Sequence, residues 1–90
     1  MNIDGIHPIG YRIRIIQNGT NVTTTFGGVR TVGTYKFHVY NPKGKLIESG
    51  WRGSMESAKA VAREMVFYDV GDAGRRLLKK YRWKWVKING

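Results

Sequence analysis

The chain has no cysteine, only two prolines among 90 residues, and six acidic side chains against sixteen lysines and arginines. Without cysteine there are no disulfides, no thiolate catalysis and few ways to build a zinc site. Few prolines, 41% hydrophobic residues, and three Trp, five Tyr and three Phe argue against disorder, which needs low hydrophobicity to leave the ordering entropy uncompensated. No window approaches the ~18 apolar residues of a membrane span. The start, MNIDGIHPIGYRIRII, lacks a basic segment ahead of an apolar run and a small-residue cleavage site, so a soluble cytoplasmic protein is expected. Asn18-Gly-Thr and Asn21-Val-Thr resemble glycosylation acceptors but are read as turn chemistry.

Catalytic constellations are also scarce. His7 and His38 are the only histidines, and neither has a metal-ligating neighbour at i+3 or i+4. His7 is read as part of a loose arm over residues 1–9, and His38 as a surface residue on a strand. Glu56 and Asp72 are accounted for as helix-start residues, Glu64 lies on a wet helix face, and Glu48 lies beside many cations. Ser49, Ser54 and Ser57 sit in no nucleophile motif. A non-enzymatic protein without cofactor or metal is expected.

What is present is positive charge, unevenly spread. The net charge is +10, and residues 73–90 carry Arg75, Arg76, Lys79, Lys80, Arg82, Lys84 and Lys87 with no acid among them. A domain solubilised by surface charge normally mixes signs. The one-sided excess therefore points to an anionic partner.

Ninety residues suit one domain with a modest core. GYRIRII alternates, Tyr11, Ile13 and Ile15 on one face and Arg12 and Arg14 on the other, the pattern of a half-buried strand. Asn18-Gly19 suits a tight hairpin turn into a second strand, NVTTTF, and residues 27–33 are expected to form a mobile loop or bulged strand end. TYKFHVY alternates again, with Tyr35, Phe37 and Val39 opposite Lys36, His38 and Tyr40. NPKGK supplies a turn, and KLIESGW closes a second hairpin. Ser54 is a good N-cap for a helix to about Asp69, with Ala58, Val61, Ala62 and Met65 at core spacing and Gly71 ending it.

Asp72 can cap a second, short helix. In RRLLKKYRWKWVKING the helical face of Leu77, Leu78, Tyr81, Trp85 and Ile88 competes with the strand alternation of RWKWVKI; a helix to about Arg82 with a strand after it is favoured. The expected fold is α+β: a small antiparallel sheet of three or four strands with two hairpins, packed on one main helix, with a short basic C-terminal helix and a possible last strand. Trp51 is assigned to the core.

Candidate contact residues for nucleic acid, DNA or RNA, are Arg12, Arg14 and Lys36 on the polar strand faces, Arg30 in the loop, and Arg75, Arg76, Lys79, Lys80, Arg82, Lys84 and Lys87 in the tail. Tyr40 and Trp83 add stacking surfaces for unpaired bases; Trp83, with Tyr81 and Trp85, equally suits the core or its edge. Two other partners fit the charge: an acidic or nucleic-acid-binding protein, inhibited or adapted by a small phage or mobile-element type protein, and, less well, an anionic membrane surface.

YKFHVYNPKGKLIESGWRGSMESAKAVA resembles the strand, Gly turn, strand and Ser-started Ala-rich helix of the arm-type DNA-binding domains of phage and transposon integrases, and of the YegP-like repeats. The resemblance covers about thirty residues at turn, cap and alternation positions. It implies a hairpin–helix architecture and, on the integrase pattern, a sheet whose basic face (Arg12, Arg14, Lys36) enters a major groove.

Overall fold

The computed structural model describes the backbone of residues 2–25 and 28–88 and the side chains of residues 2–17 and 34–88. The elements are β1 (Asn2–Ile6), β2 (Arg12–Thr25), β3 (Gly28–Tyr40), β4 (Leu46–Arg52), α1 (Met55–Asp69), α2 (Gly71–Lys80) and β5 (Lys84–Ile88). The strands form one antiparallel sheet in the order β4-β3-β2-β1-β5. This is the α+β fold expected, with the possible last strand present as β5 and a further strand, β1, at the N-terminus.

One face of the sheet is dry. Ile13, Ile15 and Val39 have no exposure and Phe37 is 2% exposed; Ile3 and Tyr11 join them, and Ala58, Ala62 and Val66 of α1 close over them. The i, i+4, i+8 spacing puts these three small helical residues on one stripe, which lets α1 approach the sheet closely. Ser54 starts α1 as predicted, its Oγ accepting from the Ser57 N–H at 3.1 Å. At the other end, the buried Tyr11 hydroxyl donates to Asp69 at 2.6 Å and ties α1 to the chain entering β2.

The largest correction is at the N-terminus. Residues 2–6 are no loose arm but a strand inside the sheet, paired with β2 from Asn2↔Ile16 to Ile6↔Arg12 and with β5 from Asn2↔Ile88 to Ile6↔Lys84. NIDGI has little intrinsic strand preference, so pairing on both edges decides its conformation. Gly5 faces the core against its register partner Trp85; a Cβ there would lie 2.5 Å from the indole. His7 is likewise not a surface residue. It is 1% exposed, its Nε2–H shared between the carbonyls of Tyr81 (3.0 Å) and Leu78 (3.4 Å) while its Nδ1 accepts from the Ile9 N–H at 3.3 Å. The carbonyls can only accept, so they place the proton on Nε2. His7 thus pins the end of α2 to the end of β1.

Three local predictions also change. Asn18-Gly19 is not a turn: β2 runs through it, with a register irregularity between Gln17 and Thr20. Residues 28–33 are strand, paired from Thr20↔Gly33 to Thr25↔Gly28; Gly27 lies outside the described residues. Asp72 does not cap α2 but pairs with Arg75 at 3.2 Å, and the chain turns between the helices at Gly71, whose φ of +76° favours glycine.

Trp51 is the remaining core misassignment, at 43% exposed. The register of β3 and β4 shifts at Ile47, between Tyr40↔Leu46 and Val39↔Glu48. A one-residue shift reverses which side chains face the core. Ile47 therefore packs on the core while Trp51 points away from it.

Two stability results are expected. Phe37→Ala should cost about 3–5 kcal/mol in urea titration, whereas Trp51→Ala, losing an exposed side chain, should cost no more than about 1 kcal/mol. The Tyr11 hydroxyl is pushed up to about 12, first by burial and then by its hydrogen bond to Asp69 and that residue's charge. A raised folded value means the stabilisation is complete below pH 10 and is lost as pH rises towards 12. Tyr11→Phe should remove about 1.5 kcal/mol at neutral pH and flatten that alkaline loss in pH-dependent melting.

Candidate functional site

The other face of the sheet has neither helix over it. Residues directly opposite each other in antiparallel strands share a face, so the registers lay this face out in three rows of five, read from β5 to β4. The first row is Lys84, Ile6, Arg12, Tyr40 and Leu46; the second is Val86, Asp4, Arg14, His38 and Ser49; the third is Ile88, Asn2, Ile16, Lys36 and Trp51. Four cations stand against one acid. Four large apolar side chains are exposed among them, Ile6, Leu46, Trp51 and Val86.

The cations are not equivalent. Arg14 is held by Asp4 through two parallel bonds, Nε to Oδ1 at 2.9 Å and Nη2 to Oδ2 at 3.1 Å, the bidentate geometry that fixes a guanidinium. Arg12 lies over the Tyr40 ring, 4.8 Å from its centroid, and Lys36 over Trp51 at 5.1 Å. Among the described residues neither forms an ion pair with an acid, and Asp4, the acid of this face, is taken by Arg14. Beyond the first row, Gly10, Arg12, Tyr40, Asn41, Pro42 and Gly44 line a shallow hollow.

His38 occupies the centre of this surface. Its pKa is lowered from 6.5, first by burial and then by the nearby charges of Lys36 and Arg14. Its Nδ1 is buried and makes no hydrogen bond among the described residues. Neutral imidazole is thus the favoured form beside these cations.

The sequence-predicted residues divide between two sides. Arg12, Arg14 and Lys36 do share the open face, and Lys84 joins them from the tail. Arg75, Arg76, Lys79 and Lys80 lie on α2, whose Leu78 packs on the core from the helix side. Arg75 is turned inward, donating to the Phe67 carbonyl at 3.0 Å and lying 4.3 Å from the Phe67 ring centroid. Arg76, Lys79 and Lys80 are exposed, as is Arg82 in the link to β5. Lys87 pairs with Ile3 and so emerges on the helix side of the edge strand. The Arg30 side chain lies outside the described residues; its backbone pairs with Thr23.

Trp83 is no open platform. It is half-buried against the core, 5.1 Å edge-on to His7 and stacked on Trp85 at 6.0 Å. The exposed aromatic that the sequence reading missed is Trp51. The register that exposes it has no local signal: Gly50 sits under Phe37, where a Cβ would lie 2.7 Å from the ring, and that places its neighbour Trp51 on the opposite face.

Among the described residues no group of three His, Asp or Glu gathers where it could hold a metal ion, and no helix is long and apolar enough to cross a membrane. Protonating His38 should be harder folded than unfolded, so stability should rise with pH through the window just below 6.5, where the unfolded chain binds more protons. His38→Gln should flatten that slope in urea titrations across the acid range. No family model, curated protein or solved structure matches the chain.

Proposed function

We propose that this chain is a non-enzymatic nucleic-acid-binding protein, working mainly through phosphate contacts with weak sequence preference, and that the open face of the sheet is its contact surface. The observation that carries this reading is the grid itself: Arg12, Lys36 and Lys84 are spread across an uncovered face whose one acid is already paired with Arg14. Cations arranged in this way track a polyanion. The exposed cations of α2 and Arg82 lie apart from the open face and serve as a secondary, longer-range attraction.

The exposed Ile6, Leu46 and Val86 favour a second reading, a protein-binding inhibitor or adaptor. Charged residues are depleted at the centre of protein–protein interfaces. Here Arg12 and Arg14 lie on the central strand of the five, β2, and Lys36 on its neighbour β3, which weighs towards an anionic partner.

Fluorescence anisotropy with labelled DNA and RNA at several salt concentrations tests the reading. Three phosphate contacts give a slope of log K against log salt of roughly −2 on single strands and −3 on duplexes. Arg12→Gln with Lys36→Gln should reduce that slope by about 1.5 to 2 units, while Lys79→Gln with Lys80→Gln should alter it far less. Absence of binding at low salt, together with recovery of one stoichiometric protein after nuclease treatment, would establish the protein-binding reading instead.

A further inference from the structure

We infer that the nucleic acid taken by the open face is single-stranded, with its bases laid on Tyr40 and Trp51. The inference rests on the nucleic-acid reading above and names its substrate class. Its basis is the repeated pairing of ring and cation. Tyr40 with Arg12 at 4.8 Å and Trp51 with Lys36 at 5.1 Å each present an aromatic surface beside a positive charge. A nucleotide offers the complement, a flat base and a phosphate. Tyr40 and Arg12 also line the shallow hollow closed by Pro42 and Gly44.

Spacing separates an unpaired strand from a duplex. Tyr40 and Trp51 lie in the first and third rows on neighbouring strands, so at ~3.4 Å per residue their positions are about 14 Å apart along the strands. Stacked neighbours on one nucleic-acid strand are only ~3.4 Å apart. Bases reaching both rings must therefore be unstacked and splayed, which an unpaired strand permits. The breadth of the face points the same way. Five strands at ~4.8 Å spacing make it about 19 Å wide before side chains are counted, against a major groove of ~12 Å. β1 and β5 on one side and β4 on the other keep the Arg12, Arg14 and Lys36 face from entering a groove as the integrase resemblance implies.

The cations need not be lost when a base arrives. Lys36 must leave the Trp51 ring, and an exposed cation–π contact is worth about 2- to 5-fold in an equilibrium, whereas a stacked base is worth roughly 5- to 100-fold in affinity. The exchange favours the base and frees the ammonium for a phosphate. Arg12 can stay, because a guanidinium plane on Tyr40 is itself a surface on which a base stacks.

The test is anisotropy titration of labelled oligothymidylate of about 12 nucleotides and a mixed-sequence duplex of equal length, at low salt. The proteins are the wild type, Trp51→Ala and Tyr40→Leu, with folding checked by circular dichroism melting. The wild type should bind the single strand more tightly than the duplex. Each variant should melt near the wild type and lose roughly 5- to 100-fold of single-strand affinity at unchanged salt slope, with duplex binding altered less than about 2-fold. Single-strand binding by both variants at wild-type strength, or tighter binding of the duplex by the wild type, would overturn the inference and leave the nucleic-acid reading standing. Failure of both nucleic acids to bind would overturn both.

Discussion

β1 is hydrogen-bonded along both of its edges, to β2 and to β5, and the sheet on that side hangs from this double ladder. Without β1, β5 would have no strand to pair with, since its described partner is β1 alone. The dry face would lose Ile3 and the Gly5–Trp85 contact, and the open face would lose the columns headed by Ile6 and Lys84. His7 extends the same constraint to the helices: a buried imidazole that donates to two carbonyls near the end of α2 is satisfied only while β1 holds it there. The N-terminal strand thereby sets both the breadth of the sheet and the position of its basic helix.

The placement of the helices explains why the charge excess becomes two surfaces. α1 and α2 both lie on the dry side, so the alternation of β2 and β3 that buries Ile13, Ile15, Phe37 and Val39 necessarily sends Arg12, Arg14 and Lys36 to the other side. Arg76, Lys79 and Lys80 cannot share that surface, although the tail looks like the more basic segment in the sequence. Arg14 is further withdrawn by Asp4, a partner that only the pairing of β1 with β2 supplies.

The parts legible in the sequence are those where local chemistry and tertiary pairing agree. Tyr11, Ile13, Ile15, Phe37 and Val39 alternate as they are buried, and Ser54 caps the helix it marks. The strand after Arg82 was likewise visible in RWKWVKI. The failures have one physical cause, a long-range register overriding a local signal. Asn18-Gly19 carries turn chemistry, but the ladder to β3 continues past it with a shift. NIDGI carries too little strand propensity to announce a strand paired on both edges. Trp51 was misplaced because the shift at Ile47 reverses the alternation, so simple period-2 counting puts Ile47 and Trp51 together when the sheet separates them. Of the candidate site, the cations of β2 and β3 could be read from alternation; the aromatic partner of Lys36 could not.

An uncovered sheet face with Ile6, Leu46, Trp51 and Val86 exposed invites self-association, and edge strands add unpaired backbone donors and acceptors to the hazard. Positive charge opposes both. Lys84 and Lys87 stand on the edge strand β5, Arg12 and Lys36 interrupt the apolar positions of the face, and the net charge of +10 makes two copies repel. The repulsion is specific to like charge, so a polyanion approaching the same surface meets attraction instead. The cations that keep the face apart from another copy are therefore the ones that bring a nucleic acid to it, and selection against self-association and for anion contact acts on the same side chains.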